Sequence, residues 1–371
     1  MNGRGRIRDR LLSGLVQIAF LLGLLLLWYL ATTQWSVSQI LLPNPTAVFH
    51  EKTESYAARR DSIGGRMRVA AAVLAMSLAA PSPSALETAV AARVHDFHGE
   101  MGVYARNLAT GGVVAVDADQ RFPTASLIKV AVMAEVFHQI DERKLNEKTT
   151  VTLKASDKAG DETVPVNMLH AGAVLTVDDL LHLMIAYSDN TATNLLVGLV
   201  GTANVDRLLD SYGLTKTRLY RPTFRDGHAD VLPEEEKEYG LGSTTPREAA
   251  TLLELIAQGK VVSRAACDRM IDLLSEQQDR AMIPRSLPFE KEEILVANKT
   301  GWDEEKLPDA KGFKGDVRND AAYVKGPRAR YVIAICARRI ADKSPGVDNE
   351  TLRTGAEISK LIYDHWNGGN P

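Results

Sequence analysis

The stretch Ile294-Leu295-Val296-Ala297-Asn298-Lys299-Thr300-Gly301-Trp302 opens as an apolar run of strand length and closes on a cation, a hydroxyl and a glycine. Such a run bounded by a turn signal predicts a strand over 294–298 that ends at Lys299-Thr300-Gly301. Two further strands are expected at 321–325 and 331–337, joined by the turn signal Gly326-Pro327. Two others come far earlier, at 101–107 and 113–117, joined as a hairpin by Ala109-Thr110-Gly111-Gly112. Helical patterns fill the space between. They cover 126–140, 191–200, 205–209 and 264–274, and a closing helix covers 350–366. Thr176 with Asp179 forms a capping box for a helix over 177–187. Thr245 as N-cap, Pro246 and Glu248 open another, closing near Gly259. Strands at both ends with helices between predict a mixed α/β (α+β) fold. One antiparallel sheet is built from both ends of the domain and flanked by helices, with an all-helical lobe inserted.

Composition agrees with a folded body. The 371 residues are 45% hydrophobic and 25% charged, with a net charge of −3. That balance gives no support for nucleic acid as a partner. The two cysteines, Cys267 and Cys336, lie far apart, each in an apolar or helical pattern, and read as packed thiols. No C-x-x-C or H-E-x-x-H occurs, so neither a metal nor another cofactor is expected.

The amino end carries two export signals. Arg4, Arg6, Arg8 and Arg10 precede an apolar run over 11–31, long enough to span a bilayer with its basic flank inside. Arg59, Arg60, Arg66 and Arg68 precede a shorter run over 69–80 and the small-residue segment Pro81-Ser82-Pro83-Ser84-Ala85, which reads as a secretory signal over 67–85. Were both to span, the rest of the chain would return inside; one acting alone exports it. The expected organisation is an extension over 1–66, a signal-like segment over 67–85 and a catalytic domain over 86–371, exported and either free or anchored by 11–31. Residues 11–49 resemble the opening of an ABC transporter permease without its further spans, so a fused or misplaced start is expected rather than transport.

Three short motifs occur in order: Ser126-Leu127-Ile128-Lys129, Ser188-Asp189-Asn190 and Lys299-Thr300-Gly301. The first alone is expected about once by chance in a chain of this length, but all three in order are a coincidence on the order of one in a few hundred. Their chemistry is coherent. Residues three apart on a helix share a face, which sets Lys129 beside Ser126. A serine hydroxyl needs an adjacent base to become a nucleophile. Lys129 serves if burial and a second cation, Lys299, depress its pKa. Ser188 is placed to relay a proton to a leaving nitrogen. Asn190 offers its amide to a substrate carbonyl and to Lys129, while Asp189 caps the helix after it. Lys299 and Thr300 suit a substrate carboxylate, and Gly301 permits close backbone approach. The backbone N–H groups of Ser126 and Trp302 are the expected oxyanion donors.

With its approach Phe122-Pro123-Thr124-Ala125, its Asn194-Leu195-Leu196, its Thr244-Thr245-Pro246 and its Asn319-Asp320, the chain from about Gly99 to Trp366 resembles the class A β-lactamase and penicillin-binding type of serine hydrolase. The resemblance implies an acyl-enzyme on Ser126 and a β-lactam or D-alanyl-D-alanine-like substrate. One part departs. Class A enzymes carry a glutamate in an E-x-x-L-N loop that activates water for deacylation; here the loop reads Arg218-Leu219-Tyr220-Arg221-Pro222-Thr223-Phe224. Asp226, Asp230, Glu234, Glu235 and Glu238 are the possible substitutes. Three functions follow: a β-lactamase with a different base, a DD-peptidase that penicillin inhibits, or a non-enzymatic penicillin or muropeptide sensor.

Overall fold

The computed structural model describes residues 84–160, 165–308 and 312–368. The expected span over 11–31, the permease-like 11–49 and nearly all of the signal-like 67–85 lie outside them. Among the described residues no helix is long and apolar enough to cross a membrane.

Helix α1 (Ala85–His95) leads into strands β1 (Glu100–Asn107), β2 (Val113–Val116) and β3 (Phe122–Pro123). A 3₁₀ turn over Ala125–Ile128 runs directly into α2 (Lys129–Asp141). Then come β4 (Thr150–Thr152), α3 (Pro165–Met168), β5 (Val174–Thr176), α4 (Val177–Ala186), α5 (Asn190–Val200) and α6 (Thr202–Ser211). Strand β6 (Arg218–Leu219), α7 (Pro233–Tyr239), β7 (Gly242–Thr244), α8 (Pro246–Ala257) and α9 (Arg264–Ser275) follow. The chain returns to the sheet with β8 (Leu295–Glu304), β9 (Asp316–Lys325) and β10 (Arg330–Ile340), and closes on α10 (Glu350–Asn367).

The main sheet is antiparallel, in the order β2-β1-β10-β9-β8. Val103 of β1 faces Ile335 of β10, so the two ends of the domain meet at its centre, as the sequence predicts. Alternation along β10 shows why its residues are apolar throughout. Val332, Ala334 and Cys336 join the core shared with the helical lobe, while Tyr331, Ile333, Ile335 and Ala337 join Leu86, Val90, Ile358 and Ile362 of α1 and α10 behind the sheet. Covering both faces removes the polar side that a half-exposed strand would show. Both cysteines are free and buried.

The caps work as the sequence predicts. Thr176 and Asp179 exchange the capping-box bonds, and Thr245 accepts from the backbone of Glu248. Three expectations need correction. Lys299-Thr300-Gly301 does not end a strand: β8 stays paired with β9 from Leu295↔Lys325 through Glu304↔Asp316, so the motif lies mid-strand. Gly301 and the charges after it look like a break, but cross-strand hydrogen bonds carry the strand through them. Accordingly β9 starts at Asp316, five residues before its expected start. Finally, the helix expected over 126–140 begins as a 3₁₀ turn and becomes α-helical only at Lys129.

Candidate active site

The site is assembled from the helix junction, the turn between α4 and α5, and the middle of β8. Ser126 sits within the 3₁₀ turn and Lys129 follows three residues later. Side chains at i and i+3 eclipse in a 3₁₀ turn, which aligns the two more closely than an α-helix would. The preceding Ala125 adopts φ +44, and Ser188 adopts φ +57. Left-handed backbone at non-glycine residues costs of order 1–3 kcal/mol each and persists where its surroundings over-determine it.

Those surroundings are specific. Asn319 of β9 is buried and donates from Nδ2 to the carbonyls of Pro123 and Thr124, each at 2.9 Å. Gly301 lies against the same turn: a Cβ there would come 2.5 Å from the Thr124 carbonyl oxygen and 2.8 Å from the Leu127 nitrogen. The close approach that Gly301 permits is therefore between β8 and the turn holding Ser126. Only glycine fits that contact without moving the serine.

Two fully buried lysines converge on one hydroxyl. Lys129 Nζ donates to the Ser188 carbonyl at 2.6 Å, to Asn190 Oδ1 at 2.9 Å and to Ser188 Oγ at 3.1 Å. Lys299 Nζ donates to Ser188 Oγ at 3.1 Å and to the Thr300 carbonyl at 2.8 Å. With both lone pairs of Ser188 Oγ engaged, its own proton is left to point elsewhere. Burial lowers the pKa of Lys299 to about 8, while the nearby carboxylates of Asp279 and Asp320 oppose the shift. Asp320 is itself pushed up to about 7 by burial, despite accepting from Asn298 Nδ2 and the Ile283 N–H, each at 2.9 Å. Asp189 turns away from the cleft. It caps α5 by accepting from the Ala192 N–H at 2.8 Å and also takes the Val166 N–H. Burial raises its pKa.

In front of Ser126 lies a cleft lined by Asn190, Arg221, Thr223, Phe224, Trp302 and Lys306, among others. All eight residues expected to act are thus brought to one region: Ser126, Lys129, Ser188, Asn190, Lys299, Thr300, Gly301 and Trp302. The expected substitutes for the missing glutamate mostly are not. Asp230 accepts from Thr202 at 2.6 Å, Glu234 pairs with Lys237 at 2.7 Å, and Glu238 lies 3.7 Å from Arg338. Glu235 holds Arg121 and accepts from the Tyr220 hydroxyl at 2.8 Å. They fasten the loop rather than line the cleft. Asp226 does line it, but is paired with Arg221 and lies 3.5 Å from Lys306.

What fills this loop is not legible in the sequence. Arg221 is almost wholly buried and pairs with Glu236 at 2.7 Å. Thr223 is clamped by Asn194, whose Oδ1 accepts from the Thr223 N–H at 2.8 Å and whose Nδ2 donates to the Thr223 carbonyl at 3.2 Å. A periodicity signal could not find these partners, because they are irregular backbone and long-range pairs.

Comparison with known proteins agrees with this geometry. A family model described as the beta-lactamase enzyme family matches residues 85–366. Beta-lactamase L2 of Stenotrophomonas maltophilia is 31% identical over 206 residues, which is 54% of this chain and 64% of that protein. The chain therefore spans just under two thirds of that relative. Beta-lactamase SME-1 of Serratia marcescens is 26% identical over 269 residues, covering 72% of this chain and 84% of its own. The beta-lactamase structure from Sphaerobacter thermophilus matches with TM-score 0.63 at 27% identity, over 77% of this chain and 98% of that one. A PBP-A variant, solved as an acyl-enzyme complex with penicillin G, matches with TM-score 0.63 at 25% identity, over 76% and 96%. Sequence and fold together place this chain in the beta-lactamase enzyme family.

Proposed function

We propose that the protein opens β-lactam amides through an acyl-enzyme on Ser126, and that acylation is much faster than release. The observation that carries this reading is the meeting of Lys129 and Lys299 on the Ser188 hydroxyl, beside the turn that holds Ser126. Lys129, as the neutral amine with a free lone pair, takes the Ser126 proton as Oγ attacks the carbonyl carbon. Backbone N–H groups at Ser126 and Trp302 stabilise the oxyanion. The ring C–N bond then breaks, and the leaving nitrogen receives its proton through the Ser188 hydroxyl. Asn190 holds the acyl-side carbonyl, and Lys299 with Thr300 holds the substrate carboxylate.

Release requires an activated water. Among the described residues the carboxylates lining the cleft are Asp226 and Asp303, and each has a cation within ion-pair distance. Both are engaged in ion pairs, Asp226 with Arg221 and Asp303 with Lys306. A DD-peptidase-like role is the second reading; the likeness to PBP-A and the missing loop glutamate favour it.

The test is a rapid-mixing experiment with a chromogenic cephalosporin. The expected trace is a burst of about one equivalent followed by slow turnover, and Thr223→Glu, which sets a carboxylate on the cleft side of the loop, should raise the slow phase. Full turnover with no burst would assign release to another group. No reaction at all would remove the β-lactam reading.

A further inference from the structure

A second cavity lies away from the cleft, between the C-terminal half of α2 and helix α6. It measures about 360 Å³ and shares no lining residue with the cleft in front of Ser126. A volume of that order admits a small ligand.

The charges around it do not all find partners. Glu142, just past α2, is held by Lys144 at 2.7 Å, with His138 Nε2 3.8 Å away. Glu135 and Arg207 line the same cavity and stand outside that group. Glu135 is only 3% exposed and interrupts a buried run from Val130 to Phe137. An apolar side chain would pack there without the cost of burying a carboxyl. Gln139 Nε2 donates to Glu135 Oε1 at 2.6 Å and to the Val200 carbonyl at 3.0 Å. Among the described residues, Glu135 has no other hydrogen-bond donor and no cation within ion-pair distance. Its second oxygen is not sealed in the interior and opens on the cavity. Burial raises its pKa, as expected of a carboxyl without a counter-charge.

Arg207 stands on the opposite wall, exposed at the rim. Its guanidinium donates to Asn204 Oδ1 at 2.5 Å, and among the described residues no carboxylate lies within ion-pair distance of it. Asn204 Nδ2 donates to the Val200 carbonyl at 2.7 Å, the same oxygen that Gln139 uses. One carbonyl thus anchors two amides, and each amide steadies one of the two unpaired charges, from α2 and from α6.

We propose that this cavity binds a small zwitterion, its ammonium on Glu135 at the floor and its carboxylate on Arg207 at the rim. A buried carboxylate gains the charge-assisted bond it lacks, and a guanidinium suits a carboxylate. Glu135 and Arg207 do not pair with each other, so the two charges of the ligand are set apart by a short chain. The proposal does not depend on acylation of Ser126.

Isothermal titration of the full chain tests this, with 4-aminobutanoate, 6-aminohexanoate and 8-aminooctanoate beside hexylamine and hexanoate. At least one of the three zwitterions should bind roughly tenfold or more tighter than either singly charged compound. Glu135→Gln and Arg207→Gln should each weaken that binding by roughly tenfold. Arg207 is exposed, so its variant should keep the fold even if the buried substitution does not, and thermal melting checks both. Binding that survives in folded Arg207→Gln places the molecule elsewhere and overturns the proposal. So does zwitterion binding no tighter than that of hexylamine or hexanoate, and so does no binding at all.

Discussion

At the scale of single residues, the chemistry turns on charge held out of water. Lys299 is fully buried, and among the described residues its ammonium meets a hydroxyl and a carbonyl at hydrogen-bonding distance, with Asp279 and Asp320 nearby. Burial penalises the charged form, so its pKa falls to about 8. Below that pH the ammonium is present and can hold a carboxylate; above it the group becomes neutral. Acylation by a carboxylate-bearing penicillin should therefore decline as pH rises through about 8. In Lys299→Arg, where the cation persists, that alkaline limb should move upward. The pH profile of the acylation rate constant measures this, and an unmoved limb would assign it to another group. The residue types of this cluster are legible in the sequence, because Ser, Lys and Asn recur in three short motifs. The strain at Ala125 and Ser188 is not, since neither alanine nor serine signals left-handed backbone.

At the scale of elements, the nucleophile is positioned by β9 and β8 as much as by its own helix. Asn319 carries the Pro123 and Thr124 carbonyls, and its Oδ1 lies 3.3 Å from the Ala337 nitrogen, so one side chain ties the turn to two strands. Asn319→Ala strands two buried carbonyls and should destabilise the protein by about 1–3 kcal/mol. Acylation should slow with it, because the strained turn loses its support. Chemical denaturation and the acylation rate together check this; loss of stability with unchanged acylation would mean that the turn holds itself. Helix caps at Thr176 and Thr245 were legible because capping is local chemistry. The length of β8 was not. Its continuation past Gly301 depends on pairing with a strand that starts twelve residues after β8 ends, across a charged connection.

At the scale of the whole molecule, residues 220–241 form a fastened flap over one side of the cleft. Arg221 is the fastener from below, with Glu236 buried beside it and Asp226 beyond. Arg121 is the fastener at the rim, touching Glu235, the Tyr220 hydroxyl and Ser243, with its guanidinium 4.6 Å from the Tyr239 ring centroid. Breaking a buried pair from one side leaves a charge without a partner. Arg221→Met should therefore cost about 3–5 kcal/mol and expose the flap to protease. Adding Glu236→Leu should recover much of that loss; limited proteolysis and thermal melting read both. The overall architecture was legible because strands at the two ends of the domain with helices between admit few arrangements. The flap was not, since its acidic residues look like solvated loop charges until their arginine partners are seen.

Covalent chemistry at Ser126 is read by intact-mass analysis of the full chain with excess benzylpenicillin, followed by peptide mapping. The expected result is a stoichiometric adduct on the peptide containing Ser126, persisting for many minutes, and its loss in Ser126→Ala. An adduct elsewhere, or none in folded protein, would contradict it.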